Sequence, residues 1–409
     1  MTSPNPPPAA MRLVVVGPVW PFRGGIAQHT ALLARALVRR GHAVTLLTYR
    51  GLYPAWLFPG RTTTDPSGAP LAVPSEPLVR PLWPPSWLRA ARHIRGARPN
   101  AVIVVWWVPF FAPFVVGLSA LLGRRGHGRP PIVFICHNVL PHDGPGRLSR
   151  ILTRLALARG DGWLVHATPL VAVVQDLVGR AAAGEGAVAR AALPLHHLGA
   201  VDATPDGDTR ADTAPSLLFF GLVRPYKGLD VLIDALAIAR RSVPDLRLVV
   251  AGEFWQPAAV FAAQAERLGV AGAVTLLDAY VPNERVADLF RSAAAVVLPY
   301  RAATSSGVLT LAIEHGVPMI VTAVGGLPEV VVDGEAGLVV PPEQPAALAA
   351  AIVRLLTEPG LAARLRAGAV GARDRIGWGA YVDALERLVD VAADAAALTP
   401  ADPRTAAAP

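Results

Sequence analysis

Lysine occurs once in this 409-residue chain, at Lys227. It stands in the run Gly221-Leu-Val-Arg224-Pro-Tyr-Lys227-Gly228, after an apolar strand-like segment and before a helical one. That order puts two cations at the C-terminal end of a strand, where open α/β sheets bind ligands. Arg224 and Lys227 suit a diphosphate there, because charge-assisted bonds to phosphate oxygens are strong. The plain alternative is a solvated loop with two surface cations. A second run, Pro299-Tyr-Arg-Ala-Ala-Thr304-Ser305-Ser306-Gly307-Val-Leu-Thr-Leu-Ala-Ile-Glu314, reads as a strand end, a Ser/Thr/Gly loop and a helix start. Ser305 or Ser306 can cap that helix. The amides of Gly307, Val308 and Leu309 then offer a phosphate site at its N-terminus. Glu314, about two turns further on, is expected beside the cleft, where a carboxylate accepts bonds from ribose hydroxyls.

Other positions carry chemistry-bearing types. In Arg23-Gly24-Gly25, between the first strand and the first helix, Gly24 and Gly25 let backbone amides approach an anion; a tight turn explains them equally well. His137, in Phe134-Ile-Cys-His137-Asn138, follows an apolar strand and should point into the cleft, with Asn138 a further candidate beside it. His142 and Asp143 are weaker candidates, and His166 is given no chemical role. Glu253 follows another strand and can line the base or sugar pocket. No close His, Asp or Glu spacing marks a metal site.

These residues need elements behind them. Strands are expected at 12–17, 43–48, 101–107, 131–136 and 162–166, and helices at 26–40, 86–96, 147–159 and 168–180. That makes a parallel α/β domain over 11–198. Residues 199–215 have almost no large apolar side chains and read as a linker. The pattern then restarts, with strands at 216–221, 246–251, 273–277, 295–299 and 318–322. Helices at 228–241, 257–268, 283–292 and 307–315 alternate with them, and those at 344–357, 360–372 and 377–391 close the chain. A second doubly wound domain over 216–376 is the natural reading, with a ligand cleft shared between the two.

Composition narrows the classes. An apolar fraction of 53% excludes a disordered chain. A single cysteine, Cys136, excludes an internal disulfide framework and points to a reducing compartment. The net charge of +8 is a modest pull toward nucleotide phosphates or acidic lipid headgroups. Nucleic acid is not expected, because no basic cluster is interleaved with aromatics. Residues 1–10 lack the pattern of a signal peptide, and they and 392–409 are expected to be disordered tails. Residues 101–123 carry no charge and are long enough for a membrane span. Pro109 and Pro113 interrupt them, so a buried strand (101–107), a loop and an apolar helix (113–122) are preferred. Trp106, Trp107, Phe110 and Phe111 are the candidates for exposure to a bilayer.

Three stretches together resemble the retaining glycosyltransferases of family 4, which have the GT-B fold. They are the RGG loop at 23–25, FFGLVRPYKGLDVLIDA at 219–235, and VLPYRAATSSGVLTLAIEHGVPMIVTAVGGLPEVVVDGEAGLVVPP at 297–342, the most specific. The resemblance covers about residues 11–391. It implies transfer of a sugar from a nucleotide diphosphate-sugar to an acceptor hydroxyl with retention, and no bound metal or other cofactor. Lys227 resembles the lysine that grips the donor diphosphate. The family's partner arginine falls at Leu222, and Arg224 stands in for it. Glu314 matches the second glutamate of the family's E-x7-E pattern. The first falls at Ser306, which is the main departure. His137 resembles the histidine beside donor sugar and acceptor. The helix at 377–391, with Trp378 and Tyr381, is expected to pack back across the domain junction. The acceptor is expected to be a glycan, a glycolipid or a lipid-linked glycan, handled in the cytoplasm or at the inner face of the cell membrane. Two rival readings stay open: a sugar-nucleotide 2-epimerase, and a degenerate nucleotide-sugar-binding partner of another transferase, motivated by Ser306.

Overall fold

The computed structural model describes residues 10–54, 61–68, 71–125, 127–141, 146–179, 184, 186–195 and 214–397. The first half folds around a seven-stranded, all-parallel sheet. Its strands are β1 (Arg12–Val16), β2 (Ala43–Tyr49), β3 (Glu76–Val79), β4 (Ala101–Trp106), β5 (Ile132–Cys136), β6 (Gly162–Val165) and β7 (Val188–Arg190), in the order β3-β2-β1-β4-β5-β6-β7. The crossovers are α1 (Gly25–Arg39), α2 (Pro84–Ala97), α3 (Ala112–Leu122), α4 (Arg147–Leu157) and α5 (Thr168–Val178). The central strands are unbroken apolar runs because both faces are covered.

The second half repeats the design with six parallel strands, β8 (Ser216–Phe220), β9 (Arg247–Ala251), β10 (Val274–Leu277), β11 (Ala295–Leu298), β12 (Met319–Thr322) and β13 (Gly337–Val340), in the order β10-β9-β8-β11-β12-β13. Its helices are α6 (Leu229–Ala239), α7 (Ala258–Arg267), α8 (Asn283–Ser292), α9 (Gly307–Glu314), α10 (Leu327–Val330), α11 (Pro345–Thr357) and α12 (Leu361–Gly371). The last helix, α13 (Trp378–Ala397), leaves this half and packs on the first sheet. Its Tyr381, Leu385 and Leu388 share a core with Leu13, Ile103 and Leu164. Both sheets are doubly wound, and strand order reverses beside β1 and beside β8. Those two switch points face the cleft.

Three strands, β3, β7 and β13, fall outside the sequence expectations. All three are sheet edges of three or four residues, too short to show a pattern: β3 (EPLV) and β7 (VAR) are mixed, and β13 (GLVV) is apolar but only four residues long. The uncharged segment 101–123 is a buried strand, a 3₁₀ turn at Pro109–Phe111 and the eleven-residue α3. Two of its four expected exposed side chains are core residues: Trp106 is packed edge-on to Phe134, and Phe111 is against Trp107. Trp107 and Phe110 are half-buried. Among the described residues no single helix is long and apolar enough to cross a membrane. Most of the expected linker, with His142 and Asp143, lies outside the described residues.

Candidate active site

A cavity of about 720 Å³ lies between the two switch points. Its C-terminal wall begins where β8 ends. Gly221, at φ 91°, turns the chain, and Arg224 leads into the 3₁₀ turn Pro225–Lys227. Gly228 follows at φ 67°, and a Cβ there would stand 2.2 Å from the Pro299 carbonyl oxygen. Only glycine lets the two loops approach this closely. The result buries the lysine, which is 8% exposed. Its Nζ lies 5.4 Å from the centre of the Tyr300 ring, and no carboxylate pairs with it among the described residues. Burial first, and the charge of Arg224 second, push the Lys227 pKa down to about 8. The Arg224 guanidinium sits over the Trp255 ring at 4.5 Å.

The second part of this wall is the N-terminus of α9. Ser306 occupies the N-cap position in extended geometry, yet its side chain caps nothing. Its Oγ lies 3.5 Å from the Tyr300 hydroxyl instead. Gly307 and Val308 line the cavity, and first-turn amides have no intrahelical acceptor. Leu309 does not fit its expected part: it is buried away from the cavity, and its amide donates to the Ser306 carbonyl at 3.1 Å. Glu314 likewise departs from expectation. It is the last residue of α9, 1% exposed, and absent from the cavity wall. Beyond its first turn, the residue of that helix that lines the cavity is Leu311, nearly one turn before Glu314.

The N-terminal wall is assembled from separate loops. Gly24 and Gly25 line it. The Arg23 guanidinium beside them reaches across the cleft to Glu253, Nη1 to Oε2 2.6 Å, and lies 5.2 Å from the centre of the Tyr280 ring. Glu253 also accepts the Arg61 amide at 2.9 Å. Burial alone would raise this carboxyl, but the hydrogen bonds from Arg23 and Arg61 outweigh it and hold its pKa below the usual range. Glu253 therefore lines the cavity as expected in position, but both its oxygens are engaged by the opposite domain. Gln28 to Asn283 at 2.9 Å and Thr304 to the His137 carbonyl and Asn138 Oδ1, both at 3.0 Å, close the cleft further.

His137 lines the cavity from the end of β5. Its ring meets His29 of α1 edge-on at 4.5 Å and His166 at 4.9 Å. Tyr381 of α13 stacks on His166 at 5.9 Å. His166 thus backs His137 without reaching the cavity. Beyond His137 the wall turns apolar, with Leu52, Tyr53, Trp107 and Val108. Trp107 donates its indole N–H to the Tyr53 hydroxyl at 2.7 Å. Among the described residues no group of three or more His, Cys, Asp or Glu side chains is placed so that it could hold a metal ion.

Trp255 and Tyr280 are cavity residues that sequence reasoning missed. Each lies just beyond a strand's C-terminal end, after β9 and β10, and that position was the available signal. Leu311 was missed because its apolar type reads as core.

Comparison with known proteins agrees with this geometry. Residues 23–182 match the model of Glycosyltransferase Family 4, and residues 214–358 match that of Glycosyl transferases group 1. The D-inositol 3-phosphate glycosyltransferase of Xylanimonas cellulosilytica is 37% identical over 191 residues, covering 46% of this chain and 44% of that one. That of Segniliparus rotundus is 36% identical over 187 residues, 44% of this chain and 41% of that one. The chain thus spans under half the length of these relatives. Among solved structures, sucrose-phosphate synthase from Thermosynechococcus elongatus superposes with a TM-score of 0.70 at 19% identity, over 93% of this chain and 98% of that one. Anabaena HepE in complex with UDP-glucose gives 0.67 at 16%, over 94% and 100%. The two family models meet on either side of the cleft just described, and the chain belongs to the family 4/group 1 glycosyltransferases, with the GT-B fold.

Proposed function

We propose that the chain transfers a sugar from a nucleotide diphosphate-sugar to an acceptor hydroxyl, with retention and without a metal. The observation that carries this reading is Lys227, a buried cation without a carboxylate partner among the described residues, set beside Arg224 and the α9 N-terminus. Such a site is held ready for an anion, and preorganised charge is commonly the largest catalytic contribution. In a front-face step the sugar's anomeric carbon loses its bond to the diphosphate oxygen. It gains one to the acceptor oxygen on the same face. The acceptor proton passes to the leaving diphosphate. Lys227, Arg224 and the amides of Gly307 and Val308 stabilise the charge that grows there. HepE binds UDP and UDP-glucose on the same fold, which supports a nucleotide-sugar donor. The apolar wall at Leu52, Tyr53, Trp107 and Val108 supports a lipid-linked or glycolipid acceptor over a small polar one.

One observation favours a second reading, a binding partner without turnover. Glu253 is the only acidic side chain among the described cavity residues, and Arg23 and Arg61 engage it. Incubation with UDP-, GDP- and ADP-sugars, with and without a membrane-lipid extract and soluble acceptors, separates the two. Release of one nucleotide diphosphate, lost in Lys227→Ala, supports transfer. Nucleotide binding with no release from any donor supports the partner reading.

A further inference from the structure

The basic excess is concentrated in one layer of the N-terminal domain. Between Pro77 and Gly160 the sequence has twelve arginines and a single acidic residue, Asp143. This stretch supplies α2, α3 and α4, which pack side by side on one face of the first sheet. Helix α4 (RLSRILTRLAL) turns an unusual face to solvent. Leu148, Ile151 and Leu155 are 68%, 54% and 48% exposed. Arg147, Arg150 and Arg154, also exposed, form a parallel stripe one residue earlier on the same helix. None of the three has an acidic partner among the described residues. Further along the same layer, Leu82 and Trp83 are exposed at the start of α2. Beside them a small cavity of about 220 Å³ is lined by Arg50, Arg80 and Arg89. Arg50 and Arg80 follow the C-terminal ends of β2 and β3, so this cavity lies on the edge of the sheet where the cleft opens. The α4 helix starts on that edge too.

We propose that this layer docks the protein on an anionic lipid bilayer. Arginines alone would suit any polyanion. Paired stripes of arginine and large aliphatic side chains suit a membrane interface, where the apolar groups enter the acyl boundary and the guanidinium groups meet lipid phosphates. The arginine-lined cavity beside Trp83 takes a headgroup phosphate in the same plane. Docked this way, the apolar wall of the cleft opens close to the bilayer. This inference does not require the acceptor proposed above, because vesicle binding is read without donor or acceptor.

The test is cosedimentation of the full chain with vesicles of phosphatidylcholine alone and of phosphatidylcholine mixed with phosphatidylglycerol. Binding is expected to the mixed vesicles only. Replacing Arg147, Arg150 and Arg154 together by glutamine should lower the partition coefficient about a hundredfold. Ile151→Asp should also abolish most binding while leaving the melting temperature unchanged, since the side chain is exposed. Equal sedimentation with both vesicle types, no sedimentation with either, or binding to a random RNA without binding to vesicles would each overturn the proposal.

Discussion

The two walls of the cleft are built differently. The C-terminal wall repeats one device: a strand ends, a glycine-bearing loop turns, and a helix begins. That device delivers Arg224, Lys227 and the Gly307 amide toward one point. The N-terminal wall has that unit at Arg23-Gly24-Gly25, between β1 and α1, and is otherwise assembled from distant parts. Its His137 ring packs on His29 of α1 and on His166 at the β6 end, and Tyr381 of α13 packs on both of those, all far apart in sequence. Its apolar part comes from the loops after β2 and β4. The cationic side of the cleft is therefore placed mainly by local sequence, while its apolar side is placed by packing.

Mutations can break this contrast. Lys227→Ala should have the largest effect, a fall of about 10²–10³-fold in kcat/KM for the donor, since it removes one preorganised donor to the leaving group; steady-state kinetics checks it. Arg23→Ala should come next, with about 3 kcal/mol lost in chemical denaturation, because Glu253 is left buried and charged. Arg23→Met with Glu253→Leu should recover most of that loss. If it does not, the pair clamps the domains by more than charge. Gly228→Ala should destabilise by about 2 kcal/mol, since φ 67° and the Pro299 carbonyl both exclude a Cβ.

Two smaller effects sharpen the comparison. Lys227 has a folded pKa of about 8 against an ordinary 10.5, so the unfolded chain binds the extra proton between these values. Stability should therefore rise with pH across that window. Donor affinity should move the opposite way, weakening above about pH 8 as the cation is lost, and titration calorimetry on wild type and Lys227→Ala separates the two trends. Glu314→Gln should change the donor KM least, by under about threefold, because the side chain does not line the cavity. A tenfold rise would return Glu314 to the ribose.

The alternation of apolar runs with helical stretches made both sheets legible, except for the short edges β3, β7 and β13. Lys227 and Arg224 were legible because their motif is contiguous. Glu314 was not, since a contiguous motif places a residue on a helix without saying which side of that helix faces the ligand. Glu253 was read in position and missed in role, because its partners Arg23 and Arg61 are about two hundred residues away in sequence.

What the chain determined by itself is the pair of doubly wound sheets and the strand ends at which chemistry is displayed. Those follow from local apolar periodicity and from glycines at loop positions that no other residue can occupy. Only the tertiary structure decided which loops meet. It set Arg23 against Glu253, packed Tyr381 from the last helix on the two histidines that back His137, turned Leu311 rather than Glu314 to the cavity, and gathered the basic layer on one face. Each of these depends on the relative placement of distant elements, which burial across the domain junction settles and local sequence does not encode.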